Sequence, residues 1–517
     1  MSSGSRKEMS DMNRIYESIK PYMVKGKAYD VALALLEWDQ ETLAPPEAEE
    51  YTAKVIGELS DSYLQVMVND EVKKALEKLS DEKEQQTLTE EEKAIVAEWK
   101  TIVRQLSGIP KEEYREYSTL VARAGSIWSK AKEKNDFQLY LPTLKQIVAY
   151  KRKFAEYRKK QSKEYKKKEL YDICLEDFEP GFTMETLDTF FAQIKEEIVP
   201  FFKEIKECCK KVDKSYNEKR YSVDKQKEFC RWLSGYIGFD FNRGVIGESA
   251  HPFTTNLHNH DVRITNHYHE NNLESAIFSA IHETGHALYE MGVDSQITLS
   301  ILGTGTSMGM HESQSRFWEN VIGRSDAFWE PIYAKLQEMF PEQLKQVSLS
   351  QFIKGCNKIE PGPIRTEADE LSYSLHILVR YELEKQLISG ECEVEDLEQA
   401  WNKKYEECLG ISPKKASEGV LQDIHWACGN FGYFPSYAIG TAVAAQLYYH
   451  MKECMPIEQY LRDGNFTPIR EYLKEQIYQY GKKKTTQQIL KDITGEEFSP
   501  TYYIKYLKEK YTALYKQ

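Results

Sequence analysis

The residues with the clearest chemistry are His282, Glu283 and His286, in the sequence His-Glu-Thr-Gly-His. Two histidines four positions apart on a helix lie on the same face, so both imidazoles can bind one ion. Imidazole nitrogens suit Zn²⁺, and a catalytic zinc site adds a third protein ligand and an open position. Glu283 follows the first histidine directly, where its carboxylate can take a proton from a water. The motif predicts a hydrolytic metal site.

The sequence around this motif predicts the helix that it needs. Asn272 is a good N-cap candidate and Gly292 is a suitable glycine at the end of the same segment. A buried stripe runs along the predicted helix: Ile277, Ala280, Ile281, Thr284 and Leu288. Eight of the chain's 11 histidines lie between His251 and His311, which is more clustering than packing requires.

A third metal ligand has to come from elsewhere in the chain. No glycine and third histidine follow shortly downstream, so the metzincin pattern is absent. Glu312 is the best candidate, because a flexible stretch rich in glycine and threonine precedes it and lets the chain return. Glu290 and Glu319 are the alternatives, and we interpret each as a surface or supporting carboxylate. Two histidines and one carboxylate form a hydrolytic ligand set.

Several ordered motifs make the chain resemble the carboxypeptidase Taq family of metallocarboxypeptidases. The matching segments are Trp38-Asp39-Gln40-Glu41-Thr42 with Pro45-Pro46, His251-Pro252-Phe253, Asp261-Val262-Arg263-Ile264-Thr265, HETGH at 282–286, HESQ at 311–314, Ile364-Arg365-Thr366-Glu367-Ala368-Asp369, and Gly419-Val420-Leu421-Gln422-Asp423-Ile424-His425-Trp426. They span residues 38 to about 441, which is most of the chain.

The resemblance implies a metal site formed by His282, His286 and Glu312, with Glu283 as general base. It also implies that Arg365 binds the terminal carboxylate of the substrate, which an arginine fork can hold with two hydrogen bonds. The alternative for Arg365 is a structural ion pair with Glu367 or Asp369. His251 and Arg263 lie in motifs that are expected to close one end of a groove and to contact the substrate.

Oxyanion support is expected from His425 and two tyrosines, Tyr433 and Tyr437. The twelve-residue spacing from His425 to Tyr437 is similar to that in thimet-type oligopeptidases, which favours Tyr437 as the donor. Tyr433 is the alternative donor, or it holds the substrate. Either tyrosine could equally be a core residue in a chain with 34 of them.

The fold expected is mainly α: a large helical metallopeptidase fold with a deep central groove and a small β-sheet beside the active site. Residues 1–517 are interpreted as a single helical catalytic unit with two lobes around the groove. The β-sheet is expected at Gly244–His269, where β-branched residues alternate. Val31–Trp38 is expected to be a buried helix, and Met184–Val212 a helix kinked or split at Pro200.

Composition excludes several classes of function. Lysine plus arginine number 69 and aspartate plus glutamate 82, so the net charge is −13, which disfavours a general nucleic-acid binder. No apolar run is long enough for a transmembrane helix, and the first twenty residues lack the apolar core of a signal peptide. The nine cysteines show no paired spacing, so we expect reduced thiols in a cytoplasmic protein.

Together these features predict a metal-dependent carboxypeptidase that releases single C-terminal amino acids from peptides by metal-activated water attack. The alternative is a helical zinc oligo-endopeptidase or dipeptidase. One divalent ion is expected, zinc in the first place, with cobalt or manganese as alternatives. The expected substrate is a peptide with a free C-terminal carboxylate. The resemblance implies a homodimer, and we expect neither a nucleic-acid nor a membrane partner.

Overall fold

The structure is a computed structural model that describes residues 13–106 and 108–516. The first twelve residues, which bear on the signal-peptide prediction, lie outside the described part. Most of the described chain is helical, with one small β-sheet, so the mainly α class is confirmed. No helix within the described ranges is both long and apolar enough to cross a membrane. The chain forms two compact units, each built from separate segments.

The first unit comprises residues 13–106, 222–306 and 466–485. Its core packs Trp99 against Met67 and Leu76, and the Trp99 indole donates a hydrogen bond to the Met67 carbonyl at 2.9 Å. Its helices are Arg14–Thr42, Glu49–Met67, Asp70–Lys78, Glu82–Gln85, Glu90–Leu106, Val223–Ile237, Leu273–Gly292 and Thr467–Gln476, with short 3₁₀ turns at Pro46–Ala48 and Tyr478–Lys483.

The predicted β-region forms a three-stranded sheet in the first unit. The strands are β1 (Gly244–Glu248), β2 (Thr254–His258) and β3 (Asp261–Asn266), in the order β1-β3-β2. β3 runs parallel to β1 and antiparallel to β2. Val262 and Ile264 of β3 point inward to a cluster with Ala287 and Met291, because alternate residues of a strand face opposite sides. This contact holds the sheet on the helix Leu273–Gly292.

The second unit comprises residues 108–221, 307–465 and 486–516. Its two most buried helices are Glu370–Ser389 and Pro435–Cys454. The other helices are Lys111–Lys134, Phe137–Gln161, Leu170–Leu175, Met184–Cys209, Met308–Arg316, Asp326–Trp329, Tyr333–Met339, Pro341–Leu344, Leu349–Cys356, Leu397–Leu409, Ile457–Arg462, Thr486–Thr494 and Thr501–Tyr515, with a π-helical turn at Phe317–Ile322 and 3₁₀ turns at Ser215–Glu218, Arg365–Glu367 and Val394–Asp396.

Pro200 does not split its helix. The helix runs without a break over Met184–Cys209, and its apolar residues are buried as predicted. A proline removes one backbone hydrogen bond, and that cost is small where water can reach the freed carbonyl. Pro200 and Glu196, whose carbonyl loses its partner, both lie on the exposed face. Solvent therefore takes the place of the missing donor.

The helix at Val31–Trp38 is confirmed, but its predicted burial is wrong. Trp38 is buried, Val31 is only half-buried, and Leu35 is 42% exposed. The helix Arg14–Thr42 forms an antiparallel pair with Glu49–Met67 and presents only part of its surface to the core. An apolar run longer than the contact face therefore leaves some of its side chains in solvent.

Gly440 allows the helix Pro435–Cys454 to approach the helix Met308–Arg316. A Cβ atom at Gly440 would lie 2.6 Å from the Cβ of Glu312 and 2.9 Å from the Gly309 carbonyl. Gly309 is equally confined, since a Cβ there would lie 2.9 Å from Ile439. Close packing of these two helices therefore requires small residues at both positions.

We expect Gly440→Ala to lower the free energy of unfolding by about 1–3 kcal/mol, because the added methyl overpacks a closed contact. Thermal unfolding followed by circular dichroism checks this. Gly125→Ala is the matched control, since Gly125 also lies inside a helix but has open space at its Cβ. Equal melting temperatures for Gly440→Ala and the wild type would contradict the expectation.

Candidate functional site

The helix Leu273–Gly292 positions His282, Glu283 and His286, as predicted. Its N-cap is Asn272, whose side chain accepts a hydrogen bond from the Ser275 amide at 3.2 Å. The predicted stripe is buried along the whole helix. The ring centroids of His282 and His286 lie 4.9 Å apart, with the rings nearly perpendicular. Because the opposite face is buried, the helix has one fixed rotation, and the two imidazoles share the remaining face.

Glu283 is buried and is oriented by the sheet. The hydroxyl of Thr254 in β2 donates to the Glu283 Oε2 atom at 2.6 Å. A hydroxyl that donates to a carboxylate makes a strong, charge-assisted hydrogen bond. The strand therefore restricts the rotamer of this glutamate. Nothing in the local sequence of Glu283 indicates Thr254 as its partner.

Glu312 lies in the helix Met308–Arg316. Ser307 is the N-cap and accepts a hydrogen bond from the Met310 amide at 3.1 Å. The Glu312 carboxylate accepts hydrogen bonds from Arg316 Nε at 2.7 Å and from Ser315 Oγ at 3.1 Å. Both donors hold the carboxylate in one orientation, which suits a metal ligand.

His282, His286 and Glu312 each offer one ligand atom, and these atoms lie within 4.8 Å of one another. Two imidazole nitrogens and one carboxylate oxygen are the donor types of a catalytic zinc site. The donor set therefore fits a divalent metal ion. The carboxylate in this group is Glu312, which the sequence favoured as the third ligand.

The two alternative ligands are engaged in other contacts. Glu290 accepts hydrogen bonds from Asn256, from the Thr304 hydroxyl at 2.7 Å and from the Gly305 amide at 3.1 Å. Glu319 pairs with Arg324 at 2.9 Å. Glu290 thus holds the loop that follows its own helix through hydrogen bonds. Glu319 offsets the positive charge of the largely buried Arg324. Neither belongs to the His-His-Glu group.

Arg365 is buried in an ion pair, but its partner differs from the two that the sequence offered. Its Nε atom donates to Asp423 Oδ1 at 3.0 Å, and a second nitrogen lies 2.9 Å from the same oxygen. Asp423 also binds Arg380, at 2.6 Å. The predicted partner Asp369 is the N-cap of the next helix, and Glu367 is exposed. Sequence proximity favoured the wrong carboxylates because the loop that carries Asp423 is distant in sequence.

The cluster around Asp423 has more positive than negative charge. Arg365 and Arg380 share this single carboxylate. Burial raises the pKa of Asp423, but the charges of the two arginines outweigh this effect and hold the pKa well below its usual range. The Lys132 ammonium donates to the Gln422 carbonyl nearby at 2.9 Å. Burial, followed by the charge of neighbouring arginines, lowers the pKa of His376 well below its usual range, so this histidine is neutral. Among the described residues, Asp423 balances one of the two arginines, so one positive charge of this pair lacks an anion. The Lys132 ammonium adds a second positive charge to the cluster.

His425, Tyr433 and Tyr437 come together as predicted. The His425 Nε2 atom lies 3.1 Å from the Tyr437 hydroxyl, and the His425 and Tyr433 rings are 5.3 Å apart. Burial raises the pKa of Tyr433 to about 12 and that of Tyr437 well above its usual range, with Glu312 among the charges that add to both shifts. Both tyrosines are therefore protonated donors close to Glu312.

His251 and Arg263 occupy different positions within the first unit. His251 is exposed between β1 and β2, three residues before Thr254. Arg263 in β3 forms a two-fold ion pair with Asp261 at 2.9 and 2.8 Å, and its guanidinium lies 5.0 Å from the Trp38 ring centroid. The contact between Arg263 and Trp38 brings together two segments that carry the family resemblance. The guanidinium of Arg263 is, however, already paired with the carboxylate of Asp261.

The sequence profile of the carboxypeptidase Taq (M32) metallopeptidase family matches residues 18–511. The chain belongs to this family. Carboxypeptidase Taq relatives match over nearly full lengths: carboxypeptidase 1 of Bacillus subtilis is 43% identical over 488 residues, which are 94% of this chain and 96% of the relative. Thermostable carboxypeptidase 1 of Thermus thermophilus is 36% identical over 486 residues, 93% of this chain and 95% of the relative.

Solved structures of carboxypeptidase Taq enzymes share the fold. The structure of a Pyrococcus furiosus carboxypeptidase in an apo-Mg form has a TM-score of 0.92 and 35% identity, and the match covers 97% of this chain and 99% of that one. The family assignment makes this protein a metal-dependent carboxypeptidase that releases single C-terminal amino acids from peptides. These matches do not support the alternative of an oligo-endopeptidase or dipeptidase.

The buried His425 should make the stability of this carboxypeptidase depend on pH. Burial, followed by the charge of Arg365, lowers the pKa of His425 from 6.5 to about 4. The unfolded chain therefore binds a proton that the folded chain does not, and stability falls as the pH drops from about 6.5 towards 4. At pH 5 the loss from this group is about 2 kcal/mol.

Urea unfolding at pH 7.5 and pH 5 tests this, with His425→Gln as the variant. The variant should lose about 2 kcal/mol less between the two pH values than the wild type does. An equal loss in both proteins would show that His425 is not the group responsible.

Proposed function

We propose that His282, His286 and Glu312 bind one zinc ion, that Glu283 is the general base, and that Arg365 receives the terminal carboxylate of the peptide. The observation that carries this proposal is the approach of the three ligand atoms to within 4.8 Å of one another. The family supports a divalent metal, and the two imidazoles favour zinc over magnesium or calcium, which prefer oxygen ligands.

When bound, the metal ion supplies Lewis acidity, which polarises the scissile carbonyl and lowers the pKa of water. Glu283 follows the proposed ligand His282 directly in sequence. We assign it the role of general base, which takes the proton from the attacking water and passes it to the leaving amine. The hydrogen bond from Thr254 favours this role, because it holds the carboxylate in one orientation before substrate binds. Preorganisation of this kind lowers the cost of the proton transfer.

Arg365 is supported as the carboxylate receptor by the charge of its cluster. Asp423 offsets only one of the two arginines that it binds. The carboxylate of a peptide would supply a further negative charge, so binding would relieve a deficit that the protein leaves open. The Tyr373 hydroxyl accepts from Arg365 at 3.2 Å and holds the guanidinium plane in place. A peptide without a free carboxylate gains nothing from this cluster.

His425, Tyr433 and Tyr437 are proposed to stabilise the oxyanion. The raised pKa values keep both tyrosines protonated, as an oxyanion donor must be. The His425 ring lies against both tyrosine rings, with centroid distances of 5.3 Å to Tyr433 and 6.0 Å to Tyr437, so the three groups can act on one developing charge. Tyr437 remains our first choice of donor, since it also contacts His425.

Four further expectations stay predictions. His251 and Arg263 are proposed to contact the substrate, with Arg263 acting beside its ion pair with Asp261. A homodimer is expected from the family resemblance. A cytoplasmic location is expected from the sequence, and the nine cysteines are all unpaired thiols.

Glu283→Gln tests the general base. The amide keeps the size of the side chain but cannot accept the proton, so kcat should fall about 10²–10⁴-fold. Metal content, measured by elemental analysis, should stay equal to that of the wild type, because Glu283 is not a proposed ligand. His286→Ala is the matched control that should lose the metal itself. Wild-type turnover in Glu283→Gln would contradict the assignment.

Arg365→Ala tests the carboxylate receptor. For free-acid peptides, kcat/KM should fall about 10- to 150-fold, the worth of a charge-assisted contact of about 1.5–3 kcal/mol. The C-terminally amidated form of the same peptide already lacks this contact, so the wild type should cleave it poorly and the variant no worse. Mass spectrometry of the two digests measures both rates. Equal losses on both peptides would assign Arg365 a structural role only.

A further inference from the structure

A loop without helix or strand carries His425 and ends next to Tyr437. This His425 loop covers residues 410–434, between the helices Leu397–Leu409 and Pro435–Cys454. Loops of this length without regular structure are uncommon in compact proteins and are usually functional. Backbone turns shape the loop locally, as in the hydrogen bond from the Asn430 amide to the His425 carbonyl at 2.9 Å, but such bonds within the loop do not fix its position against the neighbouring helices.

Glu384 accepts hydrogen bonds from two points of this loop. Its Oε1 atom accepts from the Trp426 indole at 2.8 Å, and its Oε2 atom accepts from the Gly432 amide at 2.9 Å. Trp426 follows His425 directly in sequence, and Gly432 precedes Tyr433 directly. One carboxylate therefore bridges the loop immediately beside two of the three proposed oxyanion groups, His425 and Tyr433.

The same carboxylate is fastened from a third side. The Tyr171 hydroxyl donates to Glu384 Oε2 at 2.7 Å, and the helix that carries Glu384 is buried on nearly all faces. Gly432 has φ +93°, and a Cβ there would lie 2.7 Å from the Cys174 carbonyl group. The loop backbone is thus pressed against the helix Leu170–Leu175, at a depth where only glycine fits.

Three donors converge on Glu384, and no cation forms an ion pair with it among the described residues. An ionised carboxylate meets this arrangement, because it only accepts hydrogen bonds. Burial raises the pKa of Glu384 to about 7, although the three donors act in the opposite direction. An apolar residue here would avoid the cost of burying a carboxylate, but it would leave three buried donors without an acceptor, so the position requires the acceptor capacity of this side chain.

We propose that Glu384 is a positioning residue of the carboxypeptidase reaction, which fixes the His425 loop so that His425 and Tyr433 face the reacting peptide bond. It does not touch the substrate and acts through Trp426 and Gly432. The proposal rests on the oxyanion role assigned to His425 and Tyr433. Displacement of such groups by about 1 Å can cost about 10²-fold in rate.

Glu384→Gln tests the proposal with two readouts. The amide has one acceptor and one donor end, so its NH₂ group must face an N–H or O–H donor and one tether is lost. Hydrogen–deuterium exchange of loop residues 423–434, measured by mass spectrometry, should be about tenfold faster than in the wild type. With metal content unchanged, kcat should fall at least about tenfold and KM should change less than about twofold.

Glu370→Gln is the matched control, because Glu370 lies in the same helix, is also buried, and accepts from Tyr506 at 2.8 Å and Lys510 at 2.6 Å. It should leave loop exchange and kcat within about twofold of the wild type. If Glu384→Gln does not fold, Trp426→Phe provides the same test, since it removes the indole N–H that donates to Glu384 and keeps an aromatic ring at this position. A smaller change in the same direction is then expected.

His425→Ala separates this inference from the proposed function. If that variant keeps full activity, the oxyanion role fails, and faster loop exchange in Glu384→Gln still upholds the anchoring of the loop. If His425→Ala is impaired, adding Glu384→Gln to it should lower kcat by a smaller factor than it does in the wild type, because part of its effect acts through His425. Unchanged loop exchange in Glu384→Gln, or unchanged kcat when His425→Ala is impaired, overturns the proposal.

Discussion

The constraint that governs the second unit is that buried charges need partners. Asp423 binds two arginines, and Glu384 binds three donors, all in surroundings with little access to water. In such surroundings an unpaired charge costs several kcal/mol, so each group restricts where its partners can lie. Local backbone turns shape the Arg365 segment and the His425 loop, and these side-chain pairings fix where both lie against the neighbouring helices. The positions of Arg365 and His425 therefore depend on the buried carboxylates that lie behind them.

The helix that carries Glu312 is fixed by the same means. Glu179 is fully buried and accepts hydrogen bonds from the Gly309 amide and from Ser307 Oγ at 3.0 Å. Burial raises the pKa of Glu179 to about 7. Its carboxylate lies at the N-terminus of the helix Met308–Arg316, where the backbone N–H groups favour a negative charge. A supporting carboxylate one turn before Glu312 thus limits how that helix can shift or rotate.

Sequence alone predicted the parts of the fold that depend on local pattern. Asn272 and the apolar stripe behind it determine where the HETGH helix begins and which face is free, and alternation of β-branched residues located the sheet. The partners of Arg365 could not be predicted in this way. Asp423 is 58 positions further along the chain, and Arg380 shows no signal that would link it to either residue. Long-range ion pairs are set by tertiary packing, which the local sequence does not encode.

The sequence did contain one unused clue: Asp423 stands two residues before His425 in the motif that predicted the histidine. The predicted burial of the apolar run at Val31–Trp38 was wrong because this run lies on a helix pair whose outer face is exposed to solvent. The apolar pattern of a sequence indicates which side chains can be buried. Whether they are buried depends on how many other helices pack against that segment. The same distinction explains Pro200, whose helix continues because its exposed face allows water to replace a donor.

The pairing of β2 with β3 has a consequence for catalysis. Thr254 lies opposite Ile264, and the inward side chain of Ile264 packs towards the helix of Glu283. Sliding β2 by one residue would turn Thr254 to the other face of the sheet and bring Phe253 or Thr255 to its place. Strand alignment in this small sheet therefore sets which side chain meets the Glu283 carboxylate, so a shift of β2 along β3 would remove the hydrogen bond that orients this carboxylate.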